Sequence, residues 1–190
     1  MKRILLMAVA ISLAALPAAA QTAPAGGGAN PLSASLKRMF DGVKRNISEA
    51  AEKVPEDLYS FKPTPDVRSF GGLVGHLANG NYSYCSAAKG DKNPNAGNDF
   101  EKKTAKADLV KGLKDAIAYC DGIYLGATDQ MVMELIKVGQ PPNQMDAPRA
   151  QPLITNISHD NEHYGNIVTY MRLKGMVPPS TERAQQPRRP

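Results

Sequence analysis

Leu153-Ile154-Thr155-Asn156-Ile157-Ser158-His159-Asp160-Asn161-Glu162-His163-Tyr164-Gly165-Asn166-Ile167-Val168-Thr169-Tyr170-Met171-Arg172-Leu173-Lys174-Gly175 carries a single amphipathic helical pattern. Leu153, Ile157, Tyr164, Ile167, Val168 and Met171 recur at the three- and four-residue steps of one helical face. Gly175 falls just past the last turn and Pro178-Pro179 bars continuation, so the spacing predicts a helix over about 153–174. Two of the chain's three histidines, His159 and His163, lie one turn apart on this helix. With Asn166 and Tyr170 they fall on one strip beside the apolar face.

Three more helices read outward from this one. Asn30-Pro31 offers an N-cap and a proline at the first helical position. From there Leu32, Leu36, Met39, Phe40, Val43, Ile47, Ala50 and Val54 form a stripe that Pro55 ends. Ser69 can cap a second helix from Phe70 to about Ala88, ended by Gly90, with Phe70, Leu73, Val74, Leu77, Tyr84, Cys85 and Ala88 on its apolar face. Gly71, Gly72, Gly75 and Asn79 weaken its intrinsic propensity, so packing must hold it, and small residues there let a neighbour approach the backbone closely. A third helix runs from about Lys106 to Gly126 through Leu109, Leu113, Ala116, Ile117, Cys120, Ile123 and Tyr124. Ala127–Pro152 is ambiguous: Met131–Val138 can form a short helix, and Gly139–Pro152 reads as loop. No segment shows sustained period-two alternation, so the expected fold is an all-α four-helix bundle. The polar stretch Lys89–Thr104 is long for a bundle connection, usually ~2–8 residues, and fits a crossover.

The chain has 190 residues, enough for one domain, and a formal net charge of +5. Most of that charge sits at the ends, in Lys2 and Arg3 and in Arg183, Arg188 and Arg189 against Glu182, which leaves the body nearly neutral. A nucleic-acid footprint needs basic residues clustered on one face, and a nearly neutral body does not supply one. Met1–Ala20 reads as a secretory signal peptide: a basic start, an apolar run over Ile4–Leu16 too short to span a bilayer, and an A-x-A site before Gln21. The expectation is an exported protein, periplasmic or secreted, with no membrane span after signal removal. Residues 21–30, opening QTAPAGGGA, read as a flexible link. Residues 31–180 read as the folded domain, and 181–190 (TERAQQPRRP) as a frayed tail.

The histidines carry the functional expectation. The i, i+4 pair His159 and His163 can offer two imidazoles to one metal ion, the spacing used in H-E-x-x-H. His76 lies midway along the second helix at the margin of its apolar stripe, with Gly80 and Ser83. If the second and fourth helices are neighbours, all three imidazoles converge. Three histidine nitrogens leave a fourth position open, and water there becomes acidic, with a pKa of ~7 in catalytic zinc sites. Asp160, Glu162 and Asn166 are candidates to orient the ligands. The pocket expected around the ion is lined by Asn79, Ser83, Asn166 and Tyr170.

The second-helix run Phe70-Gly71-Gly72-Leu73-Val74-Gly75-His76-Leu77-Ala78 and the run His159-x-x-x-His163-Tyr164-Gly165-Asn166, followed by Met171-Arg172-Leu173-Lys174-Gly175, resemble the DinB/YfiT-like family of metal-dependent four-helix-bundle proteins. The resemblance covers about Leu32–Ser180. It implies an up-down-down-up bundle with a crossover and a divalent metal, zinc or nickel, held by His76, His159 and His163. Members of the family often pair, so a homodimer is an expectation from the resemblance alone. Some relatives look like thiol-dependent transferases or isomerases, and many have no assigned reaction.

Cys85 lies nine residues past His76, about 180° round the helix, so it faces the core rather than the histidine. Cys120 also lies in an apolar stripe. Two readings stand: a pair of small buried hydrophobes, or a Cys85–Cys120 disulfide, the only intramolecular pair available to an exported chain. The residues support a metal-dependent hydrolase or transferase acting on an unknown small-molecule substrate. The alternative is a non-catalytic helical bundle that binds a metal or ligand. The chain has no G-x-S-x-G and no Gly-rich phosphate loop.

Overall fold

The structure is a computed structural model that describes residues 30–139 and 141–186; the leader and most of the link therefore lie outside the described residues. Four long helices form the bundle: α1 (Pro31–Lys53), α2 (Phe70–Lys89), α3 (Lys106–Gly126) and α5 (Ala150–Leu173). Between α3 and α5 stand α4 (Asp129–Met133) and the strands β1 (Leu135–Val138) and β2 (Met145–Pro148), and α6 (Pro179–Gln185) follows. Among the described residues, no helix is long and apolar enough to cross a membrane.

The contacts between helix ends give the direction of each helix. Lys106 at the start of α3 donates to the Glu52 and Val54 carbonyls at the end of α1, at 2.8 and 2.7 Å. At the opposite end, the Asp129 carboxylate just past α3 accepts from the Leu32 and Ser33 amides of α1. These two helices are therefore antiparallel. α2 and α3 run parallel, joined at Gly71 against Leu109 near their starts and at Cys85–Cys120 further along. α2 and α5 are antiparallel, since His76 meets His159 while Asn81 meets Asp160 and Asn156. The order is up-down-down-up, and Gly90–Ala105 is the crossover that carries the chain back between two parallel neighbours.

The caps explain the boundaries. Ser69 Oγ accepts the Gly72 amide at 3.0 Å, and Gly90 ends α2 with a left-handed φ of 82°. Gly175 does the same after α5, with φ 70°. Asn30 does not cap its own helix: its side chain accepts from the Asp129 amide at 2.9 Å, while Asp129 satisfies the first turn of α1. The core holds Phe40 stacked on Tyr124 at 4.2 Å, with Ile47, Leu77, Leu109, Leu113 and Ile167 buried around them. Leu32 and Met39, placed on the apolar stripe of the first helix, are exposed.

Three segments depart from the expected pattern. Met131–Val138 is not one helix: α4 ends at Met133, and Leu135–Val138 pairs antiparallel with Met145–Pro148. The hairpin is four residues a side and mostly exposed, so it carries little of the alternation that marks a strand. The last long helix begins at Ala150 rather than Leu153. The tail beyond Ser180 is not frayed through Gln185, because α6 docks there: Arg183 pairs with Glu49 and Asn46 on α1, and Lys53 pairs with Glu182. Polar anchors hold this helix in place of an apolar face.

Candidate metal centre

The crossover and two glycines build one side of the site. A Cβ on Gly75 would lie 2.5 Å from the Phe100 carbonyl oxygen, and one on Gly112 would lie 2.2 Å from the Phe100 ring. These two gaps let the 3-10 turn Phe100–Lys102 seat against α2 and α3. Asn79 secures the same turn: its amide donates to Asp99 at 2.8 Å, and its carbonyl accepts from the Phe100 amide at 3.2 Å. The turn thereby delivers Glu101 to His76 Nδ1 at 2.7 Å. Arg68 Nε donates to the other Glu101 oxygen at 2.8 Å. Burial works to raise the Glu101 carboxyl, but the hydrogen bonds from Arg68 and His76 outweigh it and hold it below the ordinary carboxylate value. An anionic Glu101 accepts Nδ1–H, which leaves the lone pair of His76 on Nε2.

His159 completes the facing pair. Its Nε2 lies 3.1 Å from His76 Nε2. His159 fits against α2 because residue 80 is glycine; a Cβ there would lie 2.6 Å from His159 Cε1. Tyr84 meets the ring edge-on at 5.2 Å. The remaining nitrogen, Nδ1, is buried without a hydrogen bond, 3.5 Å from the Asp160 carboxylate. His163, buried at 8 % exposure, stands edge-on to both rings, at 4.7 Å from His76 and 4.5 Å from His159. One ligand nitrogen from each of the three residues falls within 4.8 Å of the others.

These residues fit a divalent ion. Two nitrogens on a tetrahedral ion at ~2.0–2.1 Å sit ~3.3 Å apart, and the His76–His159 separation of 3.1 Å is close to that without rearrangement. Three imidazoles are a borderline donor set suited to Zn, Ni, Cu or Fe. His163 is already neutral: burial, then the neighbouring His159 and His76, pull its pKa down from the ordinary 6.5 to about 4.

That shift fixes the sign of a pH effect. Between pH 6.5 and about 4 the unfolded chain takes up a proton at residue 163 that the metal-free native state does not, so this residue lowers stability as pH falls across that window. Thermal melts of metal-free protein check this: the midpoint is expected to drop from pH 6.5 to 4, and His163→Gln to flatten the drop. A second prediction concerns Gly80. Alanine there favours the helix by ~0.5–1 kcal/mol but displaces the His159 ring. Isothermal titration of Gly80→Ala is expected to show metal affinity down about 10-fold, the scale of a lost outer-shell partner, with the melting temperature no lower.

The expected supporting residues divide. Asp160 backs His159, and the Asn166 amide lies 3.3 Å from His163 Nδ1. Glu162 is exposed and bonds to none of the three histidines, because it points off the solvent side of α5. Asn79 ties down the crossover rather than lining a pocket, and exposed Ser83 lines a separate cleft bounded by the hairpin. Asn166 and Tyr170 do line a cleft of ≈ 600 Å³ that reaches His163, together with Lys62, Asp66, Arg68 and Leu73. Tyr170 donates to the Arg68 carbonyl at 2.8 Å. Glu101 and Arg68 were not among the residues singled out from sequence; both lie outside the long helices, where periodicity assigns no face. Cys85 and Cys120 form the disulfide, with Cα atoms 5.4 Å apart.

The DinB superfamily profile matches residues 39–167, and the chain belongs to that superfamily. Among solved structures, a DinB-like protein from Bacillus subtilis aligns at 22 % identity and TM-score 0.61, over 75 % of this chain and 94 % of that one. A DinB-like protein from Bacillus cereus aligns at 14 % identity and TM-score 0.61, over 77 % and 95 %. A conserved protein from Enterococcus faecalis aligns at 16 % identity and TM-score 0.59, over 75 % and 96 %. Identities this low carry the fold alone. No curated protein matches the sequence.

Proposed function

We propose that this protein is an exported member of the DinB superfamily that binds one divalent metal ion, zinc or nickel, through His76, His159 and His163, and uses it in hydrolysis or group transfer on a small-molecule substrate. The observation that carries the metal is the convergence of three imidazoles from two helices, with Glu101 on the outer nitrogen of His76. A divalent ion in such a site supplies Lewis acidity to a water or substrate in its open position. The chain's own residues do the rest. Glu101 and Asp160 orient His76 and His159, and the cleft beside His163 presents Asn166, Tyr170, Arg68 and Lys62 to a bound molecule. Export rests on the Met1–Ala20 leader, and a homodimer rests on family resemblance.

The rival reading is a non-catalytic metal or ligand binder. It draws on the absence, among the described residues, of a nucleophile hydrogen-bonded to a base beside the histidines. A panel of ester, amide, epoxide and thiol-transfer substrates separates the two readings. Turnover that chelation removes and zinc or nickel restores supports the enzyme. Stoichiometric metal without turnover across the panel supports the binder.

A further inference from the structure

A buried polar layer lies beneath the histidines. Asn81 on α2 and Asn156 and Asp160 on α5 are each 0 % exposed. The Asp160 carboxylate accepts from Asn81 Nδ2 at 3.0 and 3.2 Å and from Asn156 Nδ2 at 3.4 Å. Asn156 Nδ2 also donates to Asn81 Oδ1 at 3.2 Å, and Tyr124 OH donates to Asn156 Oδ1 at 3.1 Å. Burying these groups without partners would be costly, so each amide is fixed by the demands of the others.

The far wall of this layer is the disulfide. Cys120 Sγ lies 3.3 Å from the Asn81 carbonyl oxygen and 3.5 Å from its Oδ1, and Cys85 Sγ lies 3.7 Å from Asn156 Oδ1. A bonded sulfur has no proton to donate, so these are packing contacts that limit where the two amides can sit. Contact is continuous from the sulfurs through Asn81 and Asn156 to Asp160 and on to His159 Nδ1 at 3.5 Å. Close-packed interiors transmit a displacement of this kind rather than absorb it.

We propose that the Cys85–Cys120 disulfide is a positioning pair for the histidine centre, holding His159 in place through Asn81, Asn156 and Asp160. The inference rests on the metal-binding reading above. A bond that only tied α2 to α3 would change stability and leave the metal site as it was. A positioning bond changes the site in folded protein.

Cobalt(II), whose visible bands report ligand geometry, is the probe. In the full chain, Cys85→Ala/Cys120→Ala is expected to lower cobalt affinity about 10-fold and to shift those bands, at a temperature where circular dichroism shows the variant folded. In an Asp160→Asn background the same cysteine changes are expected to cost less than 2-fold, since the connection is already cut. If the double variant does not fold, Asn156→Ser with the disulfide intact serves instead and is expected to show a loss of about 10-fold. Unchanged affinity and unchanged bands in a folded variant overturn the inference. Failure of the unaltered protein to bind cobalt, zinc or nickel overturns the metal-binding reading itself.

Discussion

Replacing His163 by alanine is expected to abolish stoichiometric metal binding. Three ligands on two helices hold the proposed ion, and His163 is the most buried of them. Losing an outer-shell partner typically costs ~10–100-fold in metal affinity, so losing a direct ligand should exceed the upper end of that range. The side chain is also neutral before metal arrives, its pKa drawn down to about 4, so at pH 7 no proton competes with the ion at this residue. Removing it forfeits a ligand already in its binding form. Metal analysis after dialysis checks the prediction: the unaltered protein is expected to retain one equivalent and His163→Ala less than a tenth. Circular dichroism should be nearly unchanged, because the bundle core of Phe40, Ile47, Leu77 and Ile167 is built without this residue.

The second large effect concerns stability. Cys85 and Cys120 join α2 and α3 across 35 residues of sequence. A loop of that length contributes roughly 3–4 kcal/mol in the chain-entropy account of disulfides. α2 carries four glycines and needs tertiary support, and the crossover linking it to α3 is long and polar. For a domain of this size each kcal/mol moves the melting midpoint by about 2–4 °C, so Cys85→Ala/Cys120→Ala is expected to melt about 10 °C lower. Differential scanning calorimetry of metal-free protein measures this apart from any effect on the metal. A midpoint within 2 °C of the unaltered protein would show that packing alone holds α2 to α3.

Much of the fold was legible because its signals are local. Ser69 and Gly90 bracket α2 by capping chemistry, and Gly175 with Pro178 closes α5 in the same way. The third helix begins and ends where its apolar spacing does. The length of the polar connection pointed to the crossover, and a crossover requires α2 and α3 to be parallel. The hairpin was not legible, since Leu135–Val138 and Met145–Pro148 are short and largely exposed. The final helix was hidden for a different reason: Thr181–Gln185 has no large apolar residue, and Arg183 reaches back to Glu49 and Asn46 over a separation that no local pattern encodes.

The candidate site divides along the same line. The i, i+4 spacing put His159 and His163 on one strip, and one more histidine in mid-helix completed the set. Asp160 and Asn166 were within reach by the same helical geometry. Glu101 was not, because its place depends on a loop seated in two glycine gaps, on Gly75 and Gly112, far apart in sequence. Gly80 carried a weak signal: glycine inside a helix lowers its propensity and so suggests a close approach, though not by which group. Here the group is the His159 ring.

The three-histidine centre is best tested by a crystal structure of the zinc-loaded protein with anomalous diffraction recorded across the zinc edge. A single zinc peak is expected, bonded to one nitrogen each from His76, His159 and His163, with Glu101 on the outer nitrogen of His76. No peak among these residues, or a zinc bound without one of the three, would contradict it.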